Sequence, residues 1–165
     1  MSISVRWGVI ALVAMITSFT ARYSMYNPKA PMESIPYLIL GIFALFVCIL
    51  VSLVLNRRHL KQDFDAKKGL QEGMKTGLFA IMIYSFYMYL YLSYFNPGVI
   101  ENLIAERVND INASGLEIGQ KEQAINALKN EVTPFRRVTQ ELLILLSIAT
   151  SSTLFGTIIV KKFPI

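Results

Sequence analysis

Charge is sparse in this chain, and reactive side chains are sparser still. Only 16% of its 165 residues are Asp, Glu, Lys or Arg, against about 25% in an ordinary soluble domain. It has one cysteine, Cys48, and one histidine, His59. A single cysteine excludes an internal disulfide, so cysteine usage carries no information about compartment. His59 precedes Asp63 and Asp65 in the stretch HLKQDFD. A metal centre needs a further ligand in a preorganised geometry, so this group reads as solvated polar surface. Gly69, Gly73 and Gly77 lack the lysine–hydroxyl ending that makes a phosphate loop. No serine or threonine has a histidine within credible reach to serve as its base. These absences predict a protein that is not an enzyme, with no catalytic residue, metal or cofactor.

Ionisable groups are also missing at depth. Four windows contain no Asp, Glu, Lys, Arg or His: Trp7–Ala21, Ser34–Asn56, Thr76–Ile100 and Leu142–Val160. A bilayer core about 30 Å thick takes roughly 20 helical residues to cross. The second and third windows exceed that length, and the fourth meets it where Lys161 and Lys162 begin. The first is short, but arginine stems snorkel to the headgroups, so a helix from Val5 to Tyr26 still crosses. A cleaved signal peptide is the alternative for this window, but Phe19 stands where a small residue would precede cleavage at Ala21. The expected fold is all-α and polytopic, one membrane domain over residues 1–165. Its spans are expected near 5–26, 35–56, 76–97 and 138–160. Proton relays and coupled transporters keep a charged group deep in the bilayer. Here only Arg22, near a span end, approaches that position, which weighs against coupled transport.

With four crossings, the N-terminus, the second loop and the C-terminus share one side, carrying nine Lys and Arg against seven on the other. The second loop, NRRHLKQDFDAKKGLQEGMK, gathers six of them in a short stretch, whereas the third spreads five among seven acids. Basic residues in short loops mark the cytoplasmic side. Both termini are therefore expected in the cytoplasm and the third loop outside, although Arg136 and Arg137 pull the other way. The net charge of +5 then serves the membrane surface, with no nucleic acid implied. Arg57, Arg58, Lys61, Lys67 and Lys68 are the candidate contacts to anionic lipid.

Small residues form seams along the spans. Gly41, Ala44, Cys48 and Ser52 share one face of the second, Gly69, Gly73 and Gly77 lead into the third, and Ser152 and Gly156 pair in the fourth. Such seams let membrane helices approach closely. They predict tight packing within one bundle, with homodimerisation through a seam as the alternative. Tyr84, Tyr87, Tyr91 and Tyr94 also share a face. The deeper pair, Tyr84 and Tyr87, is expected to bond to hydroxyls of the fourth span, or all four are expected to line a groove for a partner, a lipid tail or an isoprenoid. In the third loop, Asn96-Pro97 and Thr133-Pro134 each read as a cap followed by a first-turn proline. Between them Ile100, Leu103, Ile104, Val108 and Ile111, then Ile118, Ile125, Leu128 and Val132, mark two apolar stripes. These predict an amphipathic helical hairpin over residues 98–137 that caps the bundle or docks a partner.

Taken in order, Gly73, Met74, Lys75 and Gly77, then Tyr94, Asn96 and Pro97, then Thr133 and Pro134, resemble a known group. They are similar to the bacterial inner-membrane family catalogued as domain of unknown function forty-one ninety-nine, over nearly the whole chain. The resemblance implies a four-span protein with no assigned reaction and no established catalytic residues to carry over. Members of that group often lie beside a polyprenol-phosphate-type glycosyltransferase, which implies work on envelope lipids.

Two functions from different classes are therefore expected. One is a non-enzymatic subunit or scaffold that packs with itself or with a larger membrane protein. The other is an accessory that binds lipid or polyprenyl phosphate in envelope glycan assembly. Orientation has a direct test in single-cysteine variants at Lys67 and Asn112. An impermeant thiol reagent added to intact cells is expected to label Asn112→Cys and spare Lys67→Cys; labelling of the latter reverses the assignment.

Overall fold

The computed structural model describes residues 1–24, 35–60 and 63–162. The helices are α1 (Ile3–Ser24), α2 (Ile35–Leu60), α3 (Ala66–Leu90), α4 (Gly98–Ala113), α5 (Ile118–Glu131) and α6 (Pro134–Lys162), with one π-helical turn, Tyr91–Phe95, ending α3. No strand occurs among the described residues. Four of these segments are long and apolar enough to cross a membrane: α1, α2, α3 with its π turn, and α6. The protein is thus an all-α transmembrane helical bundle with a hairpin, α4–α5, between its last two spanning helices.

Two helices run well past the expected spans because polar caps carry them into water. Asp65 opens α3 by accepting the Lys68 backbone N–H at 2.7 Å, eleven residues before the apolar window begins. The Thr133 hydroxyl accepts the Arg136 N–H at 3.3 Å and opens α6, so Arg136, Arg137 and Glu141 all lie on the helix. The Asn96-Pro97 signal plays out differently. The π turn leads the Asn96 N–H back to the Tyr91 carbonyl at 2.7 Å, and the Asn96 amide donates to the Tyr91 hydroxyl at 3.3 Å. Its side chain makes no cap bond, and α4 starts at Gly98 with Pro97 before it.

In the bundle α1 lies against α2 and α3, and α6 against α3 and α2, while α2 and α3 also touch. Helices α1 and α6 therefore occupy opposite corners. The shared core contains Leu45, Ile49 and Leu53 of α2 with Ile81 and Met88 of α3. Lipid tails are as apolar as these side chains, so burial alone gives little drive to associate, and close backbone approach must supply it.

That approach is made at the glycines. A Cβ on Gly69 would sit 2.7 Å from the Thr157 methyl, one on Gly73 2.5 Å from the Thr153 methyl, and one on Gly77 2.9 Å from the Ala149 Cβ. The three glycines form a groove on α3 that receives one face of α6. Gly156 of α6 is covered in turn by Leu50 and Leu53 of α2, and Gly41 of α2 lies on Ser18 of α1. Cys48 and Ser52 are buried, Ala44 is half-buried, and the buried Ser152 returns its hydroxyl to the Ile148 carbonyl of its own helix at 2.6 Å. Each of these seams faces inward, onto another helix of the same chain.

The hairpin is attached at its root. Val99 and Ile100 enter the core, while Leu103 and Ile104 are half-buried against it. Leu128 of α5 is buried, but Ile118 is 80% exposed. The apolar stripe of α5 is thus only partly covered by the chain itself.

The glycine groove yields a stability test. Gly73→Ala should lower the melting temperature in detergent, because overpacking costs about 1–3 kcal/mol. Adding Thr153→Ser, which removes the obstructing methyl, should recover part of the loss. Ala at Gly119, where a Cβ meets nothing within 4 Å, should leave the melting temperature unchanged.

Candidate functional site

Each end of the bundle holds a buried polar cluster, and the two differ in kind. At the end formed by the start of α1, the end of α2 and the start of α3, the cluster is closed on itself. The Asn56 amide donates to the Ser4 hydroxyl at 3.0 Å and to the Ser52 carbonyl at 2.9 Å. Ser4 in turn donates to one oxygen of Glu72, and the other oxygen takes the Lys75 ammonium. Thr76 donates to the Glu72 carbonyl at 3.1 Å, leaving its oxygen to accept from Ser52 at 2.8 Å. Ser4, Ser52 and Thr76 are wholly buried. A polar group shut away from water costs free energy unless it is paired, and here each hydroxyl finds a partner. This network pins the rotation of three helices and leaves no reactive group unspent.

The cluster at the hairpin end is open in its bonding. Tyr84, only 5% exposed, donates to Glu141 Oε1 at 3.0 Å. This pair joins α3 to α6 about two turns beyond the last rung of the glycine groove. Arg137 lies one turn before Glu141, with its guanidinium beside Tyr23, Glu141 and Tyr84. Arg22, in the last turn of α1, places its guanidinium carbon 5.4 Å from the centre of the Tyr23 ring. The Nε atoms of Arg22 and Arg137 are both buried without a hydrogen-bond partner among the described residues. Beside them is a cleft of about 140 Å³ between α1, α2 and α6. Arg22, Arg137 and Glu141 form its polar side, and Leu38, Ile42 and Ile144 its apolar side. The arrangement presents hydrogen-bond donors and positive charge at the rim of an apolar wall.

The four tyrosines of the expected groove part company. Tyr84 borders the cleft region through a second, smaller pocket with Phe19 and Arg22. Tyr84, Tyr87 and Tyr91 all pack around Phe19, with ring centroids 5.8, 6.1 and 5.3 Å from it in edge-on geometry. Tyr87 shares a hydrogen bond with Thr20 at 3.0 Å. Tyr94 is 71% exposed, because the π turn rotates it away from the face that the other three share. The tyrosines therefore form an aromatic cluster with α1, and none of them uses a hydroxyl of α6. Glu141, not a serine or threonine, is the partner that α6 supplies.

The candidate lipid-contact residues sit at the far end. Arg57 and Arg58 end α2, and Lys67 and Lys68 are exposed at the start of α3; Lys61 lies outside the described residues. From Lys68 to Tyr84 the helix rises about 24 Å at 1.5 Å per residue. The basic loop and the tyrosines thus do not belong to one site. The residues that do gather with Tyr84 are Arg22, Arg137 and Glu141. Only Arg22 stood out in the sequence, and the signal for the rest was two arginines and an acid flanking apolar windows at the same end.

The Tyr84–Glu141 bond has a measurable share in stability. Tyr84→Phe leaves a half-buried carboxylate short of a donor and should cost about 1.5–3 kcal/mol, the range for hydrogen bonds to charged groups. Thermal unfolding in detergent reads this loss, and Tyr94→Phe, at an exposed position, should match the parent.

Neither the curated proteins nor the solved structures contain a match to this chain. The family described as Protein of unknown function (DUF4199) matches it over residues 6–162, from α1 to the last turn of α6. With four membrane-length helices and the hairpin all inside the matched region, the chain belongs to that family.

Proposed function

We propose that this protein is a non-enzymatic component of the membrane that holds a lipid in the cleft between α1, α2 and α6. The observation that carries this reading is the cleft's two-sided lining, with Leu38, Ile42 and Ile144 on one wall and Arg22, Arg137 and Glu141 on the other. Small-ligand sites are built from apolar walls and a few placed polar groups. The volume suits a headgroup or the upper part of a chain, with the remainder lying in the bilayer. Localisation to a bacterial inner membrane, with envelope glycan assembly as the setting, accompanies the proposal.

A second reading, as a subunit or scaffold, draws on a different feature. Leu116 and Ile118 of the hairpin, with Tyr94, Phe95 and Phe135 near its root, leave apolar surface exposed beyond the packed helices, from 42% at Leu116 to 80% at Ile118. Exposed apolar surface of this kind favours a protein or membrane contact.

Native mass spectrometry of protein extracted in mild detergent separates the two. A retained lipid that is lost on Ile42→Trp, which fills the cleft, supports lipid binding. A stoichiometric protein partner or a homo-oligomer, with no lipid retained by the parent chain, supports the subunit reading and removes the first.

A further inference from the structure

We infer that the cleft takes the anionic phosphate headgroup of a membrane lipid, read by Arg22 and Arg137 together; this rests on the lipid-binding reading and specifies its chemistry. The inference begins from charge. Among the described residues two guanidinium groups and one carboxylate line the cleft, so this lining carries one positive charge in surplus. One oxygen of that carboxylate already accepts from Tyr84. Among the described residues, neither Arg22 nor Arg137 has a carboxylate within 4.0 Å, whereas the neighbouring Arg136 meets Glu131 at 3.8 Å. An unbalanced cation in a water-poor setting is costly unless an anion joins it.

The bonding geometry agrees with the charge. Arg22 comes from α1 and Arg137 from α6, the two helices at opposite corners of the bundle, yet both side chains reach the same cleft. Each keeps its Nε buried and without a partner, and an arginine fork offers donors matched to phosphate oxygens. The level is also right. Arg22 lies in the last turn of α1 and Arg137 in the first turn of α6, so both stand where the spans leave the apolar zone and lipid phosphates reside. Toward the membrane interior Ile42 and Ile144 continue the cleft as an apolar wall, with Ile144 57% exposed. A lipid so placed puts its phosphate between the guanidinium groups and its chain along these isoleucines. The basic loop lies at the other end of the bundle and stays outside this site.

The test uses the full-length protein, stripped of lipid in detergent and titrated with phosphatidylglycerol or phosphatidylcholine of identical chains. Bound lipid is read by native mass spectrometry. The parent protein should prefer the anionic lipid, and Arg22→Gln or Arg137→Gln should cut its retention about tenfold while leaving the zwitterionic lipid unchanged. Lys129→Gln, at an exposed position on α5, should have no effect. If a Gln variant does not yield monodisperse protein, the Lys variant at the same position, Arg22→Lys or Arg137→Lys, replaces it and should show a smaller loss, since the charge stays and the fork is gone. A preference that survives both Gln variants, or both Lys variants in their place, overturns the inference. Equal retention of the two lipids by the parent overturns it too, while leaving the cleft as a lipid site. If no lipid is retained at all, the lipid-binding reading falls with it. Uptake of inorganic phosphate without any lipid would assign the arginines to a soluble anion and likewise overturn the headgroup.

Discussion

The bundle depends on how closely α3 and α6 approach. Gly69, Gly73 and Gly77 each lack the one carbon that would collide with Thr157, Thr153 and Ala149. Antiparallel helices touching at three successive turns have their register set by those contacts, since sliding either helix would bring a side chain against a facing Cβ. Continuing the same register outward brings Tyr84 opposite Glu141. The polar cluster at the hairpin end is therefore an extension of the glycine groove, and its position follows from packing many ångströms away. In a solvent that gives apolar side chains no reason to leave it, such contact is the main available source of order.

The two buried polar clusters divide the labour of the fold. The Ser4–Asn56–Ser52–Thr76–Glu72 network is saturated, tying the rotation of α1, α2 and α3 at one end. With that end fixed and α6 held on α3, the helices at the other end are placed without needing all of their polar groups for support. Arg22 and Arg137 are left with donors to spare. Rigidity at one end thus permits an unspent binding capacity at the other.

Much of the architecture was legible in the chain because it follows from local rules. Uncharged windows of membrane length, the Thr133-Pro134 start of α6, and a glycine at every fourth position each declare one helix or one helix face. The site was less legible because it is a relation between faces. Periodicity places Tyr84, Tyr87 and Tyr91 together, but it does not say that Phe19 of α1 would receive all three rings while Glu141 of α6 takes the Tyr84 hydroxyl. Asn56 closes an apolar window and reads as a span end, yet it is 6% exposed and the centre of a network. Glu141 counts among the acids of the third loop in the sequence even though the Thr133-Pro134 signal opens the helix before it, because a helix start does not say which neighbour its first turns will face. Tyr94 was grouped with the other tyrosines because ideal helical geometry was assumed through Phe95.

That last departure has a reach beyond one side chain. A π turn accommodates one residue more than the α-helical path around it, and each helical residue turns the chain by about 100°. The turn at Tyr91–Phe95 therefore acts as a phase shifter between membrane and water. Below it, α3 keeps the azimuth demanded by the glycine groove; above it, the hairpin departs on a bearing of its own. The bearing of the hairpin is thus set jointly by this turn and by Val99 and Ile100, which anchor its root in the core.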